Sequence, residues 1–302
     1  MNRYQMNYLM ALPIAVGLTL AGCGGDDAPG SLSLAVTDAP VANADEVVIT
    51  YTGGLVHGDS GEDITFTIDP PRQLDMLELS DGQSVVILDK LALPAGHYQW
   101  IRLETDLDPD AAWISIDGQR YPLACNSCEK NGFKLHRSFD VDPEGHVAFT
   151  VDWELNKAIS KPESKEAYTL RPTARIVDTV TVGAIAGNID GTTVSDLGGL
   201  ESTENTGCAV YVYEGDVVPD DIFVTATGEP TAGHVNPESV ARVRYREDTF
   251  RYRAAFLEPG NYTVSLTCNA ATDDPVLNQD DILFTGTSLV SVEPGKTTKK
   301  DF

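Results

Sequence analysis

Leu93-Pro94-Ala95-Gly96-His97-Tyr98 and Leu257-Glu258-Pro259-Gly260-Asn261-Tyr262 carry the same pattern in the two halves of the chain. Each sets a Pro/Gly turn just before a Tyr that opens a strand-like run. Such a Tyr buries its ring while its hydroxyl caps turn backbone, as in the tyrosine corner of β-sandwiches. Two unrelated turns would be the bland account of so short a motif. The segments around it favour two similar sandwiches.

Ser31–Val36, Glu46–Tyr51, Asp63–Ile68, Ser84–Leu88, Tyr98–Glu104, Trp113–Ile116, Lys134–Val141 and His146–Trp153 are short, β-branched or aromatic, and often alternate polar with apolar. Gly, Pro, Asp and Asn clusters separate them at turn spacing. Asp142-Pro143-Glu144-Gly145 reads as a hairpin turn. Helices are expected only as short pieces, over Gln73–Leu79 and Glu154–Ser160, the latter leading into the polar stretch 161–166. A change of unit begins near Arg171-Pro172, and Val182–Ile189 reads as a fresh first strand. The expected fold is all-β, with one sandwich over 31–182 and a second over 183–302.

Ahead of both lies a different kind of segment. Met1–Asn7 is polar with Arg3 as its only charge, and Tyr8–Leu20 is almost wholly apolar. About thirteen apolar residues suit the core of a secretory leader, whereas a membrane span needs roughly 20. Leu20-Ala21-Gly22-Cys23 resembles the lipobox of bacterial lipoproteins. That resemblance implies cleavage after residue 22 and acylation of Cys23 with chains such as palmitate. Residues 23–30 then form a Gly/Asp-rich tether with a reach of roughly 15 Å. Gly24 after the lipidated Cys, rather than Asp, fits outer-membrane sorting by the same resemblance. The expected localisation is the cell envelope, with the membrane contacted through lipid.

The chain has 21 basic and 46 acidic residues, a formal net charge of −25. Such a chain repels nucleic acid and anionic headgroups, and nucleic acid is therefore not an expected partner. Apolar content is ordinary, so the acidity does not signal disorder. Of five cysteines, four remain once Cys23 is lipidated, an even number in an oxidising compartment. Sequence distance favours Cys125–Cys128 and Cys208–Cys268. Haem attachment would need His where Glu129 stands. A redox Cys-x-x-Cys would need a strand followed by a helix start, and the flanking Tyr121-Pro122 and Asn131-Gly132 look like loop. Zinc at this pair would need more ligands than His136 alone.

The run Leu32–Pro40 with Ala44–Thr50, then Leu91–Leu103 and Tyr168-Thr169-Leu170-Arg171-Pro172, resembles the bacterial family known as domain of unknown function 4382 over about residues 31–182. That family is typical of lipoproteins and supplies no catalytic residues; the Cys125–Cys128 insertion is not part of its pattern. Leu257–Val264 and the closing Val292–Thr298 are similar to carboxypeptidase-regulatory and transthyretin-like sandwiches, which implies a non-catalytic accessory module.

No nucleophile elbow, His-Glu-x-x-His helix or phosphate-binding glycine loop is present. His57, His97, His136, His146 and His234 are scattered, three of them beside Gly, and read as turn residues. The expected role is non-enzymatic, in binding, adhesion or scaffolding, with no cofactor. The rival is a carbohydrate-active hydrolase using an unmarked carboxylate pair. Calcium is the better metal guess, at Asp106, Asp108 and Asp110; Asp140–Gly145 also mimics a calcium loop, but Val151 stands where an EF-hand needs Glu. Both read more simply as solvated acidic loops.

One segment opposes the general acidity. Ala241–Arg246, a turn at Glu247-Asp248, and Phe250–Arg253 read as a hairpin. Alternation puts Val243, Tyr245, Phe250 and Tyr252 on one face and Arg242, Arg244, Arg246, Arg251 and Arg253 on the other. The planar forks of these arginines suit an anionic glycan, phosphate or an acidic envelope partner. The simpler account is that they pair with nearby acids or with the acidic first domain.

Overall fold

A computed structural model describes residues 28–39, 44–125, 127–160, 167–200, 206–224, 233–277 and 281–302. It is mostly strand and contains four sheets. The strands of the first half are β1 (Gly30–Ala39), β2 (Glu46–Gly58), β3 (Asp63–Asp75), β4 (Val85–Leu93), β5 (Gly96–Asp106), β6 (Trp113–Ile116), β7 (Gln119–Ala124), β8 (Phe133–Leu135), β9 (Phe139–Val141), β10 (His146–Glu154), β11 (Ile159–Ser160), β12 (Tyr168–Leu170) and β13 (Ala174–Asp178). One sheet runs β13-β10-β1-β4. The other runs β11-β12-β7-β6-β2-β5-β8, with β3 on β2 and β9 on β5. The second half supplies β14 (Gly183–Ile189), β15 (Ala209–Glu214), β16 (Ser239–Arg242), β17 (Arg244–Arg246), β18 (Thr249–Leu257), β19 (Gly260–Thr267), β20 (Thr285–Val292) and β21 (Thr297–Lys299). These form β17-β18-β14-β21 opposite β16-β15-β19-β20.

Alternation explains the cores. Leu32, Leu34 and Val36 of β1 and Phe149, Val151 and Trp153 of β10 are buried between the first two sheets. Phe133 meets Trp153 edge-on at 4.6 Å, and Phe139 lies between Tyr98 and Phe149. Ile185, Val210, Val212, Tyr252, Val264 and Leu266 fill the second sandwich. A smaller apolar cluster, Tyr211, Tyr213, Ile222 and Val224, lies apart from that core.

The two halves repeat each other in detail. The Tyr98 hydroxyl donates to the Pro94 carbonyl at 2.8 Å, and the Tyr262 hydroxyl donates to the Glu258 carbonyl at the same distance. Each first strand pairs antiparallel on one side and parallel on the other: β1 with β4 and β10, β14 with β18 and β21. Each also starts on a glycine pressed under a Pro-containing turn. A Cβ on Gly30 would meet the Asp142 carbonyl oxygen at 2.6 Å, and one on Gly183 would meet that of Glu293 at 2.5 Å. No larger residue fits there without moving backbone.

Several expectations need correction. Lys134–Val141 is not one strand but β8 and β9, both on β5, interrupted where Arg137 turns away to donate to the Ile176 carbonyl. The segment expected as a helix over Gln73–Leu79 continues β3 to Asp75. The Asp75 carboxylate then accepts the Leu77 N–H and caps a single 3-10 turn, Met76–Leu79. Only Leu155–Ala158 of the second expected helix is helical, and 161–166 lie outside the described residues. Ala241–Arg246 is likewise not one strand, because Val243 carries the chain from β16 in one sheet to β17 in the other.

Both corner tyrosines spend their hydroxyls on one carbonyl. Tyr98→Phe and Tyr262→Phe should each therefore lower stability by about 1 kcal/mol, read as a shifted urea midpoint at unchanged slope. A null effect at both would mean the corners are not what holds these turns.

Candidate functional site

The arginine hairpin forms because Glu247 and Asp248 both take left-handed conformations, φ 50° and 59°. Such a pair makes the two-residue turn that suits twisted antiparallel strands. It sets Tyr245 opposite Phe250 and Arg244 opposite Arg251. Val243, Phe250 and Tyr252 are buried, as alternation requires. The arginines mostly turn toward the first sandwich. Between Met76–Leu79 and β4, the Ser80-Asp81-Gly82 turn of the first domain reaches into their midst. Arg244 pairs with Asp81 at 2.8 Å and donates to the Ser80 hydroxyl. A Cβ on Gly82 would collide with Ala255 and Arg253, both at 2.9 Å. Burial pushes the Asp81 carboxyl up, while Arg244, Arg246, Arg242 and Arg253 pull it back. Arg253 donates to the Thr297 hydroxyl at 3.3 Å, and Arg251 pairs with Glu247 of its own turn at 3.1 Å. The structure thus pairs Arg244 with one first-domain carboxylate, sets Arg242 and Arg253 along the same cavity, and leaves Arg246 and Arg251 exposed at the hairpin tip.

A second set of charges sits beside them. Arg175 binds Asp152 of its own domain and Glu238 of the other, the latter at 2.9 Å. Lys157 holds Glu154 at 2.5 Å, and Arg137 reaches Glu258 at 2.9 Å. Burial raises the Asp152 carboxyl against the pull of Arg175, and raises Glu154 against that of Lys157. Asp38 is pushed well above the usual carboxylate range, first by burial and then by neighbouring Asp152, with Arg242 opposing. Asp38, Asp152, Asp81, Arg242 and Arg253 line a cavity of about 20 Å³. That is room for one water, so this carboxylate pair is closed to any sugar. A wider groove of about 650 Å³ runs past Lys134, His136, Arg137, Glu238 and Glu258.

The other candidates are placed as follows. Disulfides join Cys125 to Cys128 and Cys208 to Cys268. The first is not in a plain loop, since β7 precedes it and Cys128 opens a four-residue helix. Both sulfur-bearing residues are nevertheless buried, which shields them from exchange. Asp106 accepts the Asp108 N–H at 3.0 Å, a local turn, and Asp108 and Asp110 are exposed; the three are not among side chains that converge as ligands. The grouping that does converge among the described residues is Asp220, Asp221 and His234. Sequence spacing gave no hint of it, because the histidine stands far from the acids along the chain. His57 and His97 pair with Asp63 and Asp140. Cys23 lies outside the described residues. Among those residues, no helix is long and apolar enough to cross a membrane.

Residues 29–172 match the family described as Domain of unknown function (DUF4382). No curated protein matches the sequence. Among solved structures, similar chains include the TIE protein of Bacillus anthracis, at 11% identity over 90% of this chain and 34% of that one, TM-score 0.20. The minor pilin GBS52 of Streptococcus agalactiae is 13% identical over 90% and 94%, TM-score 0.20. The fimbrial anchor protein Mfa2 of Porphyromonas gingivalis is 11% identical over 81% and 80%, TM-score 0.17. The chain spans about a third of the length of the first. Scores this low transfer neither fold nor role.

Two substitutions probe the junction. Arg175→Ala leaves the buried Asp152 carboxylate without its cation and should cost about 3–5 kcal/mol, measured by urea unfolding. Asp38 works in the opposite sense. Its folded pKa is raised, so the stability tied to its protonation is full below the ordinary carboxylate pKa and is lost as pH rises through the raised value. Asp38→Asn should therefore stabilise the chain above the ordinary carboxylate pKa and flatten the fall of stability with rising pH there, read from urea unfolding across a pH series. Steeper pH dependence in the variant would refute the assignment.

Proposed function

We propose that this is a lipid-anchored, non-enzymatic protein of the cell envelope whose two sandwiches act as one rigid scaffold for binding or adhesion. The observation that carries this reading is the insertion of the Ser80-Asp81-Gly82 turn into the arginine face of the second sandwich. Arginines occupied in this way are joints between domains. An anionic glycan or acidic partner could reach only the hairpin tip, at Arg246 and Arg251, and Arg251 already pairs with Glu247. The direction of β1 supports a stalk. Gly30, next to the tether, stands at one end, and the junction carboxylates Asp38 and Asp152 stand near the other. Acylation of Cys23, with the outer membrane as destination, supplies the anchor in this reading, since two or more acyl chains hold a protein stably in a bilayer.

Metabolic labelling with a palmitate analogue tests the anchor. The parent should label and fractionate with membranes, while Cys23→Ala should lose the label and remain an unprocessed precursor. The rigid joint is tested by small-angle scattering of the soluble mature chain. Arg244→Ala combined with Arg175→Ala should broaden the distance distribution. An unlabelled parent removes the anchor, and an unchanged distribution removes the scaffold.

A further inference from the structure

Asp220, Asp221 and His234 form a cluster distinct from the junction ion pairs described above. Nδ1 of His234 lies 3.3 Å from Oδ2 of Asp220 and 3.9 Å from Oδ1 of Asp221. The three donor atoms all lie within 4.8 Å of one another. Only 4% of the Asp221 side chain and 16% of the His234 side chain is exposed. Nδ1 itself is fully buried and makes no hydrogen bond. A buried polar atom in that state calls for a partner.

The backbone beneath the cluster is fixed from several sides. The Tyr213 hydroxyl donates to the Asp220 carbonyl at 2.5 Å and accepts the Asp220 N–H at 3.2 Å. The Asp273 carboxylate accepts the Ile222 N–H at 3.1 and 3.2 Å. Asn236 clamps Phe223 through both its amide atoms at 2.8 Å, and the Phe223 ring packs on the imidazole with centroids 5.0 Å apart. Oδ1 of Asp220 is taken by the Asp221 N–H at 3.1 Å, which leaves Oδ2 for the imidazole side. Supporting groups of this kind orient metal ligands.

We propose that Asp220, Asp221 and His234 form a binding site for a divalent transition cation of the zinc class. Bonds of about 2.0–2.2 Å at tetrahedral angles set ligand atoms about 3.3–3.6 Å apart; His234 lies 3.3 Å from Asp220 and 3.9 Å from Asp221, so a bound cation draws Asp221 in by a few tenths of an ångström. An imidazole with two carboxylates suits zinc, whereas calcium takes six to eight oxygens. Three protein ligands leave a fourth position for water. The cation neutralises the aspartate pair and ties the segment leading into β16 to the loop after β15.

Calorimetric titration of the mature full-length chain, stripped with a chelator, tests this at pH 7.5 with zinc chloride and separately with calcium chloride. One zinc per chain is expected, with little or no heat from calcium. His234→Ala and Asp220→Asn should each weaken zinc binding at least tenfold, while a paired His57→Ala/His97→Ala variant binds as the parent does. Asp220 is 41% exposed, so its amide variant keeps the test open if His234→Ala does not fold. Absence of zinc binding in the parent would show a plain His–Asp ion pair and overturn the proposal. So would unchanged affinity in Asp220→Asn, loss of binding in the His57/His97 variant, or calcium bound in preference to zinc.

Discussion

Arg175 is the contact on which the arrangement of the two sandwiches depends. Its side chain is only 13% exposed, and its guanidinium carries carboxylates from both domains, Asp152 on one side and Glu238 on the other. Burial alone would lower its pKa, yet Asp152 and Glu238 more than offset that and raise it. A planar fork with five donors serves two carboxylates at once, which an ammonium on a flexible stem does less well. Ion pairs of this kind add little net stability, because desolvation costs several kcal/mol per ion. Their effect lies in selection. A sliding or rotated docking would strand a buried charge, so the lattice favours one relative orientation over its neighbours.

The overall charge makes such a device necessary. Two sandwiches in a chain of net charge −25 repel each other unless basic groups are gathered where they meet. Arg244 pairs with Asp81, and Arg242, Arg246 and Arg253 add to the positive field around it, so much of the second domain's positive charge is gathered beside one first-domain turn. The arginine face and the acidity of the rest are therefore two aspects of one feature. Asp38 shows the cost: it sits buried beside Asp152, with Arg242 only partly compensating.

Much of this was legible in the residues. Period-two alternation marked the strands of the first domain, and the two Pro/Gly-Tyr turns marked the repeat, because both signals are local. What was missed is non-local. Nothing in Ala241–Arg246 shows that Val243 hands the chain from one sheet to another, since alternation continues unbroken across the switch. Lys134–Val141 reads as a single strand because its break is made by Arg137 reaching a distant carbonyl. Asp81 carries no signal of its own in the sequence, because its partner Arg244 lies in the other half of the chain. His234 read as an exposed turn histidine, yet it is mostly buried against Asp220 and Asp221.

The parallel pairing of β1 with β10 gives the first sandwich a direction. Gly30 is wedged beneath the turn at Asp142, and that turn and Gly30 share one end of the sheet. Thr37 and Asp38 of β1 and Asp152 of β10 lie at the opposite end, where the second domain docks. Ten residues of strand at about 3.3 Å each separate the two ends by roughly 30 Å. If Cys23 is held in a bilayer, the first sandwich is the spacer and the second is the part held outward. A charged joint that fixes orientation is what such a spacer requires, because a freely pivoting joint would let the outer domain fall back toward the membrane.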